Sequence, residues 1–285
     1  MTTVVTDPTD LAGPPGTGPV RAALTVSGWN AVSRLTGFLR VLAVGAALGT
    51  TFLGNTYQSA NLVSNLLFEL LAAGLLSAPL VGPFVSLLER GRKGDAELLG
   101  GTLLGISLAV LGALVLVLAV GGHAVMGVLT AGVEDPAVRS AEVRLGAFFL
   151  WFFLPQALLY ATGAVASALL AAQRRFAAAS FAPVANNVTV ILTMVAFMAM
   201  RRGDEPGLEL ATGPRLVLAL GTTAGVLAMA AVPVVALLRG GVRLRPRLDL
   251  HHPELRVVAR LGAWGAVLPA STQCLIAVTL VLANR

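Results

Sequence analysis

Long apolar runs separated by short, arginine-bearing polar stretches dominate the chain. A membrane-crossing helix needs about 20 predominantly apolar residues, and seven runs meet or exceed that length: Ala22–Leu53, Thr56–Leu88, Leu98–Val120, Leu145–Ala172, Phe181–Met200, Leu216–Leu238 and Val257–Leu282. The first two are longer than one span, as expected of tilted helices or helices that extend past the hydrocarbon. The runs are continuous in Leu, Ala and Gly rather than alternating, which predicts helices and not a membrane β-barrel. The pattern therefore predicts an all-α fold, a polytopic membrane bundle of about seven transmembrane helices.

Composition sharpens this reading. Of 285 residues, 56% are hydrophobic and 12% charged, against about 25% charged in an ordinary soluble domain. That excludes a solvated globular enzyme and a disordered chain together. The net charge is +6 and the sequence pI about 10.9, but Lys93 is the only lysine and no basic block is interleaved with aromatics. A nucleic-acid partner is not expected. Cys274 is alone, so no internal disulfide or cysteine metal cluster is possible.

The distribution of arginine sets an orientation. With the N-terminus in the cytoplasm, Arg21, then Arg90, Arg92 and Lys93, then Arg174 and Arg175, then Arg239, Arg243, Arg245, Arg247, Arg256 and Arg260 fall inside. Arg139, Arg144, Arg201, Arg202 and Arg215 fall outside. Residues 1–21 lack an apolar core and a basic leader, so they read as a disordered cytoplasmic tail and not as a signal peptide. The chain stops at Asn284-Arg285, at the end of the seventh run. An odd helix count with no closing segment predicts a fragment of a longer protein.

Charges within the apolar runs are the candidate chemistry. Arg34 and Arg40 lie in the first run and Glu69 in the second. A central charge costs about 2.5–3.5 kcal/mol on insertion scales, so such residues face a protein interior or a water-filled cavity. Six residues separate the arginines, about 9 Å of rise and about 120° of rotation, which allows them to line adjoining walls of one cavity. The planar guanidinium suits phosphate oxygens. Simpler readings stay open: Arg34 snorkels to the surface, and Glu69 pairs with Arg40. Asn55, Asn61, Asn65, Asn186 and Asn187 should point inward, where interhelical hydrogen bonding explains them. Pro79, Pro83, Pro155, Pro183, Pro233 and Pro269 can kink helices, and Gly45, Gly49, Gly100, Gly101 and Gly105 allow close helix approach. His251-His252 reads as a solvated loop. No Ser/His/Asp arrangement, phosphate loop or metal-ligand spacing stands out, so no enzyme activity, cofactor or metal is expected.

Ser33-Arg34-Leu35-Thr36-Gly37-Phe38-Leu39-Arg40 resembles the first-helix Ser-Arg-x-x-Gly-x-x-Arg signature of the MurJ/MviN family. Residues Asn61 to Leu70, with Gly74, Ser77 and Pro83 after them, are similar to its second helix. Phe153-Leu154-Pro155, Gln173-Arg174-Arg175-Phe176 and Phe181-Ala182-Pro183 with Asn187 look like its fourth helix, cytoplasmic turn and fifth helix. The resemblance implies a two-lobed lipid II flippase in a bacterial plasma membrane. Residues 22–238 would form the N-terminal six-helix lobe, 239–256 the cytoplasmic connector, and 257–285 the first helix of a truncated second lobe. Implied partners are an undecaprenyl-pyrophosphate-linked peptidoglycan precursor, membrane lipid and cell-wall synthesis proteins. Alternating access would be driven by an ion gradient or membrane potential. The implied substrate-binding residues are Arg34, Arg40, Asn65 and Glu69, with cytoplasmic head-group capture by Arg239, Arg243, Arg245 and Arg247. The family's second-helix basic residue is replaced here near Phe68 and Glu69, and the Ala/Arg-rich, Lys-poor composition fits a GC-rich bacterium such as an actinobacterium. Two other readings remain: a flippase for a different polyprenyl-linked glycan, and a non-transporting scaffold for wall synthesis.

Overall fold

The computed structural model describes residues 19–75, 81–201, 207–249 and 271. Within them the chain forms α1 (Pro19–Leu48), α2 (Phe52–Leu75), α3 (Val81–Glu89), α4 (Lys93–Val120), α5 (Gly122–Leu129), α6 (Pro136–Phe153), α7 (Gln156–Ala172), α8 (Phe176–Arg201) and α9 (Thr212–Arg239). No strand occurs among the described residues. Five helical stretches are long and apolar enough to cross a membrane: Val26–Leu48, Lys93–Val120, Pro136–Ala172, Phe176–Arg201 and Thr212–Arg239. The molecule is an all-α polytopic bundle. The seventh apolar run apart from Ser271, most of the N-terminal tail, Pro79, Pro269, His251 and His252 lie outside the described residues.

Two of the expected runs differ from simple spans. The second holds α2 and α3, with residues 76–80 between them outside the described residues, and the described part of α2 falls short of membrane-span apolarity because Asn55, Gln58, Asn61 and Asn65 interrupt it. The fourth begins earlier than its apolar core suggests. Asp135 caps α6 by accepting from the backbone N–H groups of Ala137 (2.8 Å) and Val138 (3.4 Å), with Pro136 at the first helical position. This is the favoured N-terminal arrangement. Proline at 155 has no N–H to donate, and there α6 gives way to α7. The short α5 lies where a loop was expected.

The corner between α1 and α2 is built by three residues. Gly49 adopts the left-handed conformation that glycine tolerates at a helix end (φ 62°). The Thr51 hydroxyl donates to the Leu48 carbonyl (2.7 Å) and accepts from the Gly54 N–H (3.2 Å), so it closes one helix and opens the next. A Cβ on Gly54 would stand 2.6 Å from the Gly49 carbonyl oxygen.

Two apolar cores hold the bundle. One gathers Leu48, Leu53, Tyr57, Met126, Phe149, Phe153 and Phe197 from α1, α2, α5, α6 and α8. Phe149 and Phe153 stack with centroids 5.5 Å apart, and the Tyr57 ring meets both edge-on. The second core gathers Phe84, Leu99, Leu103, Val165, Leu169 and Leu237 from α3, α4, α7 and α9, near the ends that carry Arg90, Arg174 and Arg239. α1 packs along α8 and meets α2 only sparingly. Its apolar residues Leu35, Phe38 and Val41 remain exposed.

The glycines of α4 do something other than admit a neighbouring helix. The segment after α9 runs extended against them. The Arg247 N–H donates to the Gly101 carbonyl (3.0 Å). A Cβ on Gly101 would strike the Arg245 carbonyl oxygen, and one on Gly105 the Arg247 carbonyl oxygen. The small-residue track receives a strand-like connector.

Candidate functional site

Because α1 leans on α8, a cleft opens between α1 and α2. It forms a cavity of about 1740 Å³ lined by Gly37, Arg40 and Val44 of α1, by Asn55, Gln58, Asn61 and Asn65 of α2, and by Asn187 and Arg201 of α8. Glu209 and its neighbours in the segment before α9 complete the mouth near the α1–α2 corner.

Local geometry explains how Arg40 reaches this space. Ser33, Gly37, Arg40 and Val44 recur at three- and four-residue spacing, so they share one face of α1. That face is tied to α8 by Asn187, whose Nδ2 donates to the Ser33 carbonyl (3.3 Å) and the Thr36 hydroxyl (3.2 Å). Gly37 lies at this contact, where a Cβ would stand 3.5 Å from the Asn187 Nδ2, an ordinary packing distance. Farther along, the Arg201 Nη1 donates to the Ala47 carbonyl (2.7 Å) and its guanidinium lies 5.5 Å over the Phe197 ring. A cation placed at the C-terminus of α1 also complements the helix dipole. Arg40 itself is half-buried and within electrostatic reach of Tyr57 and Tyr160.

Not all of the expected site residues come together. Arg40 and Asn65 line the cavity; Arg34 and Glu69 do not. Arg34 is exposed on another face of α1, and Glu69 is exposed on α2 one turn past Asn65. Arg239 is exposed in the last turn of α9. Arg243, Arg245 and Arg247 are exposed and line a smaller cleft of about 310 Å³ with Gly94, Glu97 and Leu98 of α4. Alternation along the extended connector explains why these three face one way.

Sequence reasoning placed Arg201 in an outer loop, but α8 continues through it and puts it in the cavity wall. It also passed over Glu142. That carboxyl is fully buried; its Oε1 accepts from the Thr56 hydroxyl (3.1 Å), and its Oε2 has no hydrogen-bond partner among the described residues. The signal was the Asp135-Pro136 start, which extends the helix back far enough to enclose residue 142.

A family model described as lipid II flippase MurJ matches residues 44–285. The chain belongs to the MurJ lipid II flippase family. The matched stretch begins just after Ser33–Arg40. This MurJ-family chain is 28% identical over 246 residues to a probable lipid II flippase MurJ of Rhizobium meliloti, covering 84% of this chain and 44% of that relative. It is 27% identical over 234 residues to one from Synechocystis (81% and 42%). It is also 27% identical over 256 residues to one from Rhizobium tropici (89% and 46%). The chain thus spans less than half the length of the curated relatives it matches.

Proposed function

We propose that the chain contributes the first lobe of a flippase that carries a lipid-linked peptidoglycan precursor across the bacterial plasma membrane by alternating access. In this reading residues 22–238 form that lobe, 239–256 join it to a second lobe, and the N-terminus is cytoplasmic, as the arginine distribution favours. The observation that carries the reading is a cavity with Arg40, Arg201 and the amides of Asn55, Gln58, Asn61 and Asn65 among the apolar residues of its wall, opened in a largely apolar bundle. A permanent guanidinium at that position offers a planar fork to pyrophosphate oxygens, and the low-dielectric surroundings strengthen the attraction. Arg34, exposed on the same helix, meets the head group from the side of α1 that a second lobe would face. Glu69, at the inner end of the α2 stripe, moderates the positive charge there. Arg239, Arg243, Arg245 and Arg247 gather the anionic head group at the cytoplasmic surface. Rocking of one lobe against the other exposes the site to each side in turn.

The test uses the intact protein in a strain depleted of its own flippase. Neutralising both arginines, Arg34→Gln with Arg40→Gln, should abolish rescue while the protein accumulates in the membrane normally. Normal rescue at normal abundance would overturn the assignment.

A further inference from the structure

The amide side chains of the bundle fall into two kinds. Asn187 ties α8 to α1 through two hydrogen bonds. By contrast, no described residue hydrogen-bonds the side chains of Asn55, Gln58, Asn61 or Asn65, and all four line the large cavity. Asn61 makes the point most sharply: it is only 8% exposed, yet its amide is unpartnered and turned to the cavity. Polar groups so placed in a membrane protein carry a cost unless something bonds them.

Their spacing makes them a single surface. At 100° per residue the four fall within about 120° of one another, and Asn55 to Asn65 spans about 15 Å of helix rise. The opposite face, with Thr56, Ala60 and Ser64, is buried, and Tyr57 stands at the border between the two. Each amide offers two N–H donors and a carbonyl acceptor and carries no charge. A row of such groups matches a ligand that mixes hydroxyl and amide groups along its length. A phosphate is better met by arginine, and Arg40 stands across the same cavity.

We propose that this α2 amide row is the recognition surface for the neutral glycan and peptide portion of the transported head group, with Arg40 taking the pyrophosphate. The proposal rests on the flippase reading and adds a division of labour to it. The row distinguishes a glycosylated lipid from its bare polyprenyl pyrophosphate, which Arg40 alone does not do.

The experiment measures binding of two lipids to the intact protein in liposomes: the polyprenyl-pyrophosphate-linked disaccharide peptide, and polyprenyl pyrophosphate without sugar. Asn55 and Gln58 are exposed, so Asn55→Leu with Gln58→Leu should fold, which a thermal melt checks. The ratio of affinities, glycosylated over bare, should fall about tenfold, or about 1.4 kcal/mol. The conservative pair Asn55→Ser with Gln58→Asn should retain most of that ratio, whereas Arg40→Gln should weaken both lipids. An unchanged ratio in the leucine variant, or a proportional loss for both lipids, would overturn the proposal and leave the flippase reading standing. If the wild-type protein binds neither lipid, both fall together.

Discussion

The two faces of α2 carry similar residues to opposite ends. On one face the Thr56 hydroxyl meets Glu142, the Tyr57 hydroxyl lies 2.8 Å from the Thr222 hydroxyl, and the Ser64 hydroxyl donates to the Phe153 carbonyl (2.6 Å). On the other face Asn55, Gln58, Asn61 and Asn65 have no hydrogen-bond partner among the described residues and look into the cavity. A polar group within a membrane bundle is adhesive when it is partnered and available for chemistry when it is not. Hydropathy treats the two alike, so only the packing separates them.

The contrast can be broken from either side. Its largest expected effect lies on the packed face, where Phe149 stacks on Phe153 and supports Tyr57. Phe149→Ala should cost about 3–5 kcal/mol, read by unfolding of the purified protein in detergent. Neighbouring residues then give a paired comparison. Ser64→Ala should lose about 1 kcal/mol by leaving the Phe153 carbonyl without its donor, while Asn65→Leu, one position on, should stay within about 0.5 kcal/mol. Equal costs at 64 and 65 would erase the distinction between the faces. Asn187→Leu, removing both of its bonds to α1, should also cost about 1 kcal/mol. It should in addition weaken head-group binding, because the segment that aims Arg40 is released.

Much of the fold was legible because a membrane demands continuous apolar runs and satisfied backbone groups. The runs that became α1, α4, α8 and α9 could be placed to within a few residues. What was lost was local chemistry: the Asp135-Pro136 cap moved a helix start by nine residues and enclosed Glu142, and the polar face of α2 lowered its apolarity below that of a membrane span. The site was legible only in part. Arg40 and Asn65 line one cavity, but six residues along a helix turn Arg34 about 120° away, so the two arginines do not share it. Nothing in the periodicity revealed that α1 would lean on α8 through Asn187 and leave α2 open. Nor did the glycines of α4 announce that they would take an extended connector, since small residues are required equally by either neighbour.

The most direct test of the open face is photo-crosslinking in the intact protein. A photoreactive residue at Gln58, on the cavity wall, is compared with one at Leu192, which is exposed on the apolar surface of α8. Residue 58 should capture the lipid-linked disaccharide peptide, with competition by unlabelled substrate, and residue 192 should capture bulk lipid without competition. Equal capture at both positions, or capture at 192 alone, would contradict the account.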